Sequence, residues 1–344
     1  MNILLIRTSA LGDIVHCLPV LEALRAALPE ARLAWLVERV WSPLLEGHPD
    51  LQARLEVNTK GWRKKPLAAA TRRDFRGALA AVRAFEPDVA IDLMGNFKGG
   101  LLARLSGARR RIGAAAESRR EAGSALFLNE KVVTRGRHAI DRALSLLAPL
   151  GIEAPAVDLG GRKLLRQTPP AAAAFLAEQK KNGRPLVLLQ AGAGWANKIY
   201  PLESWARVVQ GLAADGADVV LPSAPGEEKL AARIAELAGG AARVVDAKPF
   251  PFLAALIREC RLFLGGDTGP LHLAHALGAK VLCLIGPTDP ERNGPYGAPE
   301  RVIFRELPCS FCYKRFDEAK ACLLQHAPEV VLRRARELLA EGGS

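Results

Sequence analysis

The sequence has no apolar run long enough to span a bilayer, so no segment reads as a transmembrane helix. The opening Met1-Asn-Ile-Leu-Leu-Ile-Arg7 lacks the basic stretch and cleavage site of a secretory signal and reads as a β-strand that starts at once. There is no short internal repeat and no low-complexity tail. No P-loop lysine motif occurs. Gln190-Ala-Gly-Ala-Gly-Trp-Ala-Asn-Lys198 carries two glycines of the dinucleotide fingerprint, but Asn197 stands where the third belongs and no acidic residue follows at the required distance. A P-loop NTPase and a nicotinamide dehydrogenase are therefore disfavoured. Acidic charge is scarce as well: 48 Lys and Arg face 36 Asp and Glu, a net +12. That surplus favours anionic partners, whether phosphates, nucleic acid or an acidic membrane face. A nucleic-acid binder resting on charge alone would bind DNA with a steep salt dependence.

Cysteine is limited to six residues. Cys17, Cys260 and Cys283 lie in apolar surroundings and read as packing residues. Cys309, Cys312 and Cys322 form a looser cluster with only His326 near enough to be a fourth zinc ligand; a labile thiol pair and plain structure are the alternatives. The chain reads as cytosolic, so stable disulfides are not expected.

What is present is a repeated strand–helix alternation. At 344 residues the chain exceeds one core of usual size. Apolar runs predict strands at 2–6, 34–37, 55–57 and 88–93, then at 186–190, 218–222, 243–245, 262–264 and 281–285. Helical spacing falls between them, at 14–28, 75–85 and 139–147 and again at 202–214, 227–237 and 252–260. The stretch 155–170, rich in Gly and Pro, reads as a linker. The expectation is an α/β protein with two Rossmann-like domains, 1–158 and 170–327, facing each other across a cleft. Residues 328–344 are expected to form a helix that packs back towards the first domain.

The strand ends carry the chemistry. After 262–264 come Gly265-Gly266, then Asp267 or Thr268 as helix N-cap, Gly269 and Pro270. Bare N–H groups and a positive helix end there would cradle a diphosphate; the bland alternative is a well-capped strand–turn–helix. His272, one turn on, reads as a phosphate contact. Lys198 is either a cation reaching a phosphate or a solvated lysine. Glu227 or Glu228 can accept from ribose hydroxyls or complement a helix dipole. Thr288 and Asp289 end a further strand at the same edge. In the first half Gly12 allows a tight turn and Asp13 stands at a helix mouth, as a general base worth ~10²–10⁴ in rate or as a simple cap. His16 would line the cleft beside it. Lys60, Arg63 and Lys64 in the loop 58–66, with Arg119 and Arg120, form a basic rim or a solvated charge run. Trp62 among those cations favours binding.

Thr8-Ser9-Ala-Leu-Gly12-Asp13-Ile-Val-His16 with Leu18-Pro19, Trp62-Arg63-Lys64, Ser118-Arg-Arg120-Glu121, Asp267-Thr268-Gly269 with His272, and Gly286-Pro-Thr-Asp-Pro290 occur in that order. Over nearly its whole length the chain thereby resembles the bacterial lipopolysaccharide heptosyltransferases of glycosyltransferase family nine, nearest the heptosyltransferase I branch. The resemblance implies the GT-B architecture, with the first domain holding the acceptor and the second the nucleotide sugar. It implies an inverting transfer of L-glycero-D-manno-heptose from ADP-heptose to the Kdo of lipid A in inner-core synthesis. Asp13 takes the place of the base, and Lys198 that of the cation on the leaving diphosphate. Thr8, Ser9, Gly12, Lys198, Glu227 or Glu228, Asp267, Thr268, Gly269, His272 and Thr288 fall at donor positions. Lys60, Arg63, Lys64, Arg119 and Arg120 fall at acceptor positions. No cofactor, metal or nucleic acid is expected. The enzyme would be cytoplasmic and peripheral on the anionic inner face of the inner membrane. The alternative is a family-nine transferase with another sugar or acceptor, for example one like heptosyltransferase II. One departure stands out: the segment before Lys198 lacks the threonines of that branch, so backbone amides would have to replace their hydroxyls.

Overall fold

Runs such as Ile3-Leu-Leu-Ile6 and Val187-Leu-Leu-Gln190 put apolar side chains on both faces of a strand, which is stable only when both faces are covered. The computed structural model satisfies this twice. It describes residues 1–153, 156–224 and 226–341; Pro155 at the start of the expected linker, Pro225 in the 223–228 loop and the last three residues of 328–344 lie outside them. The chain divides into two units, Met1–Leu165 and Arg166–Ser344.

The first unit is built on six parallel strands: β1 Asn2–Ile6, β2 Arg32–Glu38, β3 Ala53–Val57, β4 Val89–Asp92, β5 Arg110–Ala114 and β6 Glu130–Val132. Their order is β3-β2-β1-β4-β5-β6. The second repeats the topology with β7 Leu186–Gln190, β8 Asp218–Ser223, β9 Ala242–Asp246, β10 Leu262–Gly266, β11 Val281–Leu284 and β12 Val302–Ile303, ordered β12-β11-β10-β7-β8-β9. Both are doubly wound Rossmann-like sheets, as the alternation predicts. In each, the chain winds one way from the first strand and then returns to that strand's other side. The order therefore reverses between β1 and β4, and between β7 and β10. Crevices at such reversals, at the carboxyl ends of the strands, are where α/β sheets hold ligands.

Three local expectations change. The helix predicted through 14–28 is two helices, Leu11–Val15 and Leu18–Ala27. Pro19 lacks an N–H and sits in the first turn of the second, where none is needed. Gly12 is then the second residue of a helix, not a tight turn; its carbonyl accepts from the His16 N–H at 2.9 Å. The basic loop at 58–66 contains a helix, Thr59–Lys64, whose Gly61 N–H donates to the Asn58 side chain at 3.1 Å. Trp62 on it is half-buried, its indole N–H on Asp74 at 2.7 Å and its ring edge-on to Phe75. Both its polar and apolar parts have structural partners, so Trp62 carries no argument for binding.

The apolar face of the helix Pro328–Ala340 is covered within the second unit. Val331, Ala335 and Leu338 are buried in the same core as Trp205, Val208 and Leu212 of the helix Leu202–Ala214. The approach is close enough that a Cβ on Gly211 would overlap Leu332. At about 1.5–3 kcal/mol for each large side chain removed from water, that burial ties the helix to the second unit. Just before the unit boundary, Lys163 bridges Glu22 and Asp50 at 2.6 Å each and fastens its own segment to the first sheet's helices.

Candidate active-site residues at two strand-order reversals

At the β1–β4 reversal, β1 runs into Arg7. The guanidinium of Arg7 reaches the Leu93 carbonyl at 2.6 Å and the Oδ2 of Asp13 at 2.6 Å. Asp13 Oδ2 also accepts from the Ala10 N–H at 3.1 Å. The helix-cap reading of Asp13 is thus real, but it uses one oxygen. Oδ1 has no hydrogen-bond partner among the described residues, and the side chain is 50% exposed. A carboxylate anchored by one oxygen and open at the other can take a proton from a bound hydroxyl. Arg7 is a residue that the sequence reading missed. Its signal was an arginine at the end of an otherwise apolar strand, six positions before a half-exposed aspartate.

Neighbouring candidates sort by burial. Thr8 is fully buried with its hydroxyl on the Met94 sulfur at 3.4 Å. Ser9 is half-buried. His16 packs edge-on to His138 in the interior and lines no surface. Lys60, Arg63, Lys64 and Arg120 are exposed and have no ion-pair partner among the described residues. Arg119 is not one of that rim. Its guanidinium is buried on Asp92 at 2.5 Å, Ser124 at 2.9 Å and the Ala114 carbonyl at 3.1 Å, which takes up its donors. A guanidinium so placed holds the sheet edge together and is closed to a substrate.

At the β7–β10 reversal, the chain leaving β7 passes through Gly192 and Gly194 to Lys198, and the chain leaving β10 turns at Gly265-Gly266 into Asp267. A Cβ on Gly265 or Gly266 would crowd the Gln190 and Lys198 carbonyls at 3.0 and 3.2 Å, so glycine lets the two strand ends approach. There Asp267 gathers three side chains. Lys198 Nζ lies 2.6 Å from Oδ2, the Thr288 hydroxyl donates to Oδ2 at 2.7 Å, and His272 Nε2 lies 3.1 Å from Oδ1. Burial acts to raise the Asp267 pKa, yet the His272 hydrogen bond and the Lys198 charge outweigh it and hold the carboxyl well below the usual range.

This geometry reassigns several residues. Asp267 does not cap the helix Gly269–Ala276; Thr268 is at the N-cap, and its hydroxyl is buried there without a partner among the described residues. His272 and Thr288 both face the Asp267 carboxylate. Gly269 opens the helix with its N–H at the bare end. Glu227 and Glu228 part company. Glu228 is exposed and turns to Lys248 at 3.2 Å. Glu227 turns inward, accepts from Gln190 at 2.5 Å and lies so close to Gly192 that a Cβ there would overlap its carboxylate. Burial pushes the Glu227 carboxyl up.

Cys309 is exposed, Cys312 half-buried and Cys322 buried, all as free thiols. Among the described residues no three of these and His326 bring ligand atoms within 4.8 Å of one another.

Comparison with known proteins gives concordant matches. The family model described as glycosyltransferase family 9 (heptosyltransferase) matches residues 76–323. The chain is 28% identical over 337 residues to lipopolysaccharide heptosyltransferase 1 of Pseudomonas aeruginosa, covering 96% of this chain and 89% of that one. The solved Escherichia coli heptosyltransferase WaaC with ADP superposes with a TM-score of 0.81 at 25% identity, over 98% of this chain and 100% of that one. The same enzyme with ADP-2-deoxy-2-fluoro heptose gives 0.79, also at 25% identity, over 98% and 99%.

Proposed function

The chain belongs to glycosyltransferase family 9, the heptosyltransferases, and from that premise we propose that it moves L-glycero-D-manno-heptose from ADP-heptose to the Kdo of lipid A. The observations that carry the reading are one in each unit: in the first, a carboxylate with one oxygen unpartnered among the described residues, and in the second, a lysine locked onto a buried aspartate beside a helix N-terminus. The reaction is a single displacement with inversion. Asp13 Oδ1 accepts the proton of the acceptor hydroxyl as that oxygen attacks the anomeric carbon. The bond to the diphosphate breaks, and ADP leaves with the electron pair. Lys198 and the N–H groups at the start of Gly269–Ala276 stabilise the charge that develops. The chain itself supplies a cation, so the proposal requires no metal or cofactor. Glu227, rather than Glu228, takes the ribose hydroxyls, and the unpaired Thr268 hydroxyl and Ser9 complete the donor contacts.

Lys60, Arg63, Lys64 and Arg120 would receive the carboxylates and phosphates of the acceptor. In the same unit Leu67 and Leu126 are 84% and 85% exposed. Apolar tips among free cations suit the anionic cytoplasmic face of the inner membrane. Among the described residues no helix is long and apolar enough to cross a membrane. Contact would be peripheral, and flotation with vesicles containing anionic lipid, but not with neutral ones, is the expected behaviour.

Two measurements test the donor assignment. ADP should protect the protein against thermal unfolding more than UDP or GDP at equal concentration; stronger protection by UDP would reject ADP-heptose as donor. Gly192→Ala should displace the Glu227 carboxylate and weaken ADP about 10- to 100-fold, the loss expected for a hydrogen bond to a charged group, and should lower the ligand-free melting temperature because the Gln190–Glu227 contact is broken. Unchanged ADP affinity in that variant would remove Glu227 from the site.

A further inference from the structure

Asp267 and Lys198 set one carboxylate against one ammonium, so the cradle is electrically neutral before any ligand arrives. A leaving nucleoside diphosphate needs positive charge in excess of that. The hydroxyls that could have helped are missing, because the loop before Lys198 is Ala191-Gly-Ala-Gly-Trp-Ala-Asn197. A second cation is nevertheless close. The Arg315 guanidinium lies 4.6 Å from the centroid of the Trp195 ring, and Lys198 Nζ lies 4.7 Å from the same centroid. Two like charges on one indole repel each other, and Arg315 has no carboxylate partner among the described residues. An anion bound beside that ring is attracted by both cations.

Arg315 is not there by accident of a loose loop. The backbone that carries it is bolted to the site. The buried Asn197 donates to the Lys314 carbonyl at 2.9 Å. Tyr313 donates its N–H to the Pro287 carbonyl at 3.2 Å, and its hydroxyl donates to Asn293 at 2.9 Å. The same hydroxyl accepts from the Asp289 N–H at 3.3 Å. Phe311 and Tyr313 hold the left-handed backbone region, φ 61° and 50°, which side-chain-bearing residues adopt only where surroundings enforce it.

We propose that Arg315 is a second diphosphate-binding cation, held on Trp195 by the 307–320 segment, and that it stabilises the leaving nucleoside diphosphate together with Lys198. The inference rests on the donor reading above for its ligand class, but it does not depend on which base the nucleotide carries.

The test is calorimetric titration of the full-length wild type, Arg315→Gln and Arg315→Lys with ADP, UDP and GDP and with the matching monophosphates. Arg315→Gln should weaken the preferred diphosphate by about tenfold or more, as for a lost hydrogen bond to a charged group. The corresponding monophosphate should change less than about twofold, Arg315→Lys should regain part of the loss, and ligand-free melting should be unaltered because the side chain is exposed. Wild-type affinity for the diphosphate in Arg315→Gln would overturn the proposal, as would equal losses for diphosphate and monophosphate. If UDP or GDP is preferred over ADP, the donor reading fails while the Arg315 comparison still decides. If no nucleoside diphosphate binds, both fall.

Discussion

Asp13→Asn should lower kcat by about 10²–10⁴-fold, the contribution of a positioned general base, while ADP binds as it does to the wild type. The substitution removes the proton acceptor and little else. An asparagine side-chain oxygen can still accept from the Ala10 N–H and face the Arg7 guanidinium, so the turn into the helix Leu11–Val15 is kept. Arg7 retains the Leu93 carbonyl, which limits the cost of losing its charged partner. All proposed donor contacts but Ser9 come from the second unit, and none is Asp13, so affinity for ADP is the internal control. A kcat within about threefold of wild type would mean that another group takes the proton. A joint loss of ADP binding and turnover would mean that Asp13 belongs to the donor site instead.

Lys198→Ala should act in two ways. Turnover should drop about 10²–10³-fold, as when one preorganised donor to a developing charge is deleted, and ADP should bind more weakly. The variant should also be more sensitive to acid. In the wild type the folded-state pKa of Asp267 lies below its unfolded value of about 3.9, so its contribution to stability is present above that value and is lost as pH falls through the folded one. Without Lys198, burial still raises the Asp267 pKa, and only His272 and Thr288 oppose it. The pH midpoint of acid unfolding should therefore move upward. Near-neutral stability should fall too, because a buried carboxylate is left without its ion-pair partner. Tryptophan fluorescence across an acid titration reads this, since Trp205 lies in the second core. An unshifted midpoint would show that His272 and Thr288 suffice, and that Lys198 is free for another purpose.

Much of the frame was legible because it depends on local pattern. The apolar runs of β1, β4, β7 and β10 announce buried parallel strands, and the glycines after β7 and β10 announce close approach at their ends. Asp13, Lys198 and Asp267 stand on those ends, which is why their placement followed from the alternation. The short edge strands β6 and β12 were not legible: Glu130-Lys-Val132 and Val302-Ile303 are too brief to show a period. Pairings across long sequence separations were equally hidden. Nothing in Glu117-Ser-Arg-Arg-Glu121 says which arginine meets Asp92 in the core, although a charge closing an apolar strand signals that some partner is needed. The amphipathic pattern of the last helix shows that one face must be covered, but the cover is identified only by the notch at Gly211. Thr8, His272 and Thr288 were chosen for their polar atoms, and in each case a neighbour inside the fold occupies that atom.

Heptosyl transfer is open to one direct measurement. The wild-type protein is incubated with ADP-heptose and Kdo-bearing lipid A, and the lipid is weighed by mass spectrometry while ADP is counted. The expected result is a gain of a single heptosyl residue on the lipid with one ADP released per lipid modified. Release of ADP with no gain on the lipid, or an unchanged lipid at full enzyme and donor excess, would contradict it.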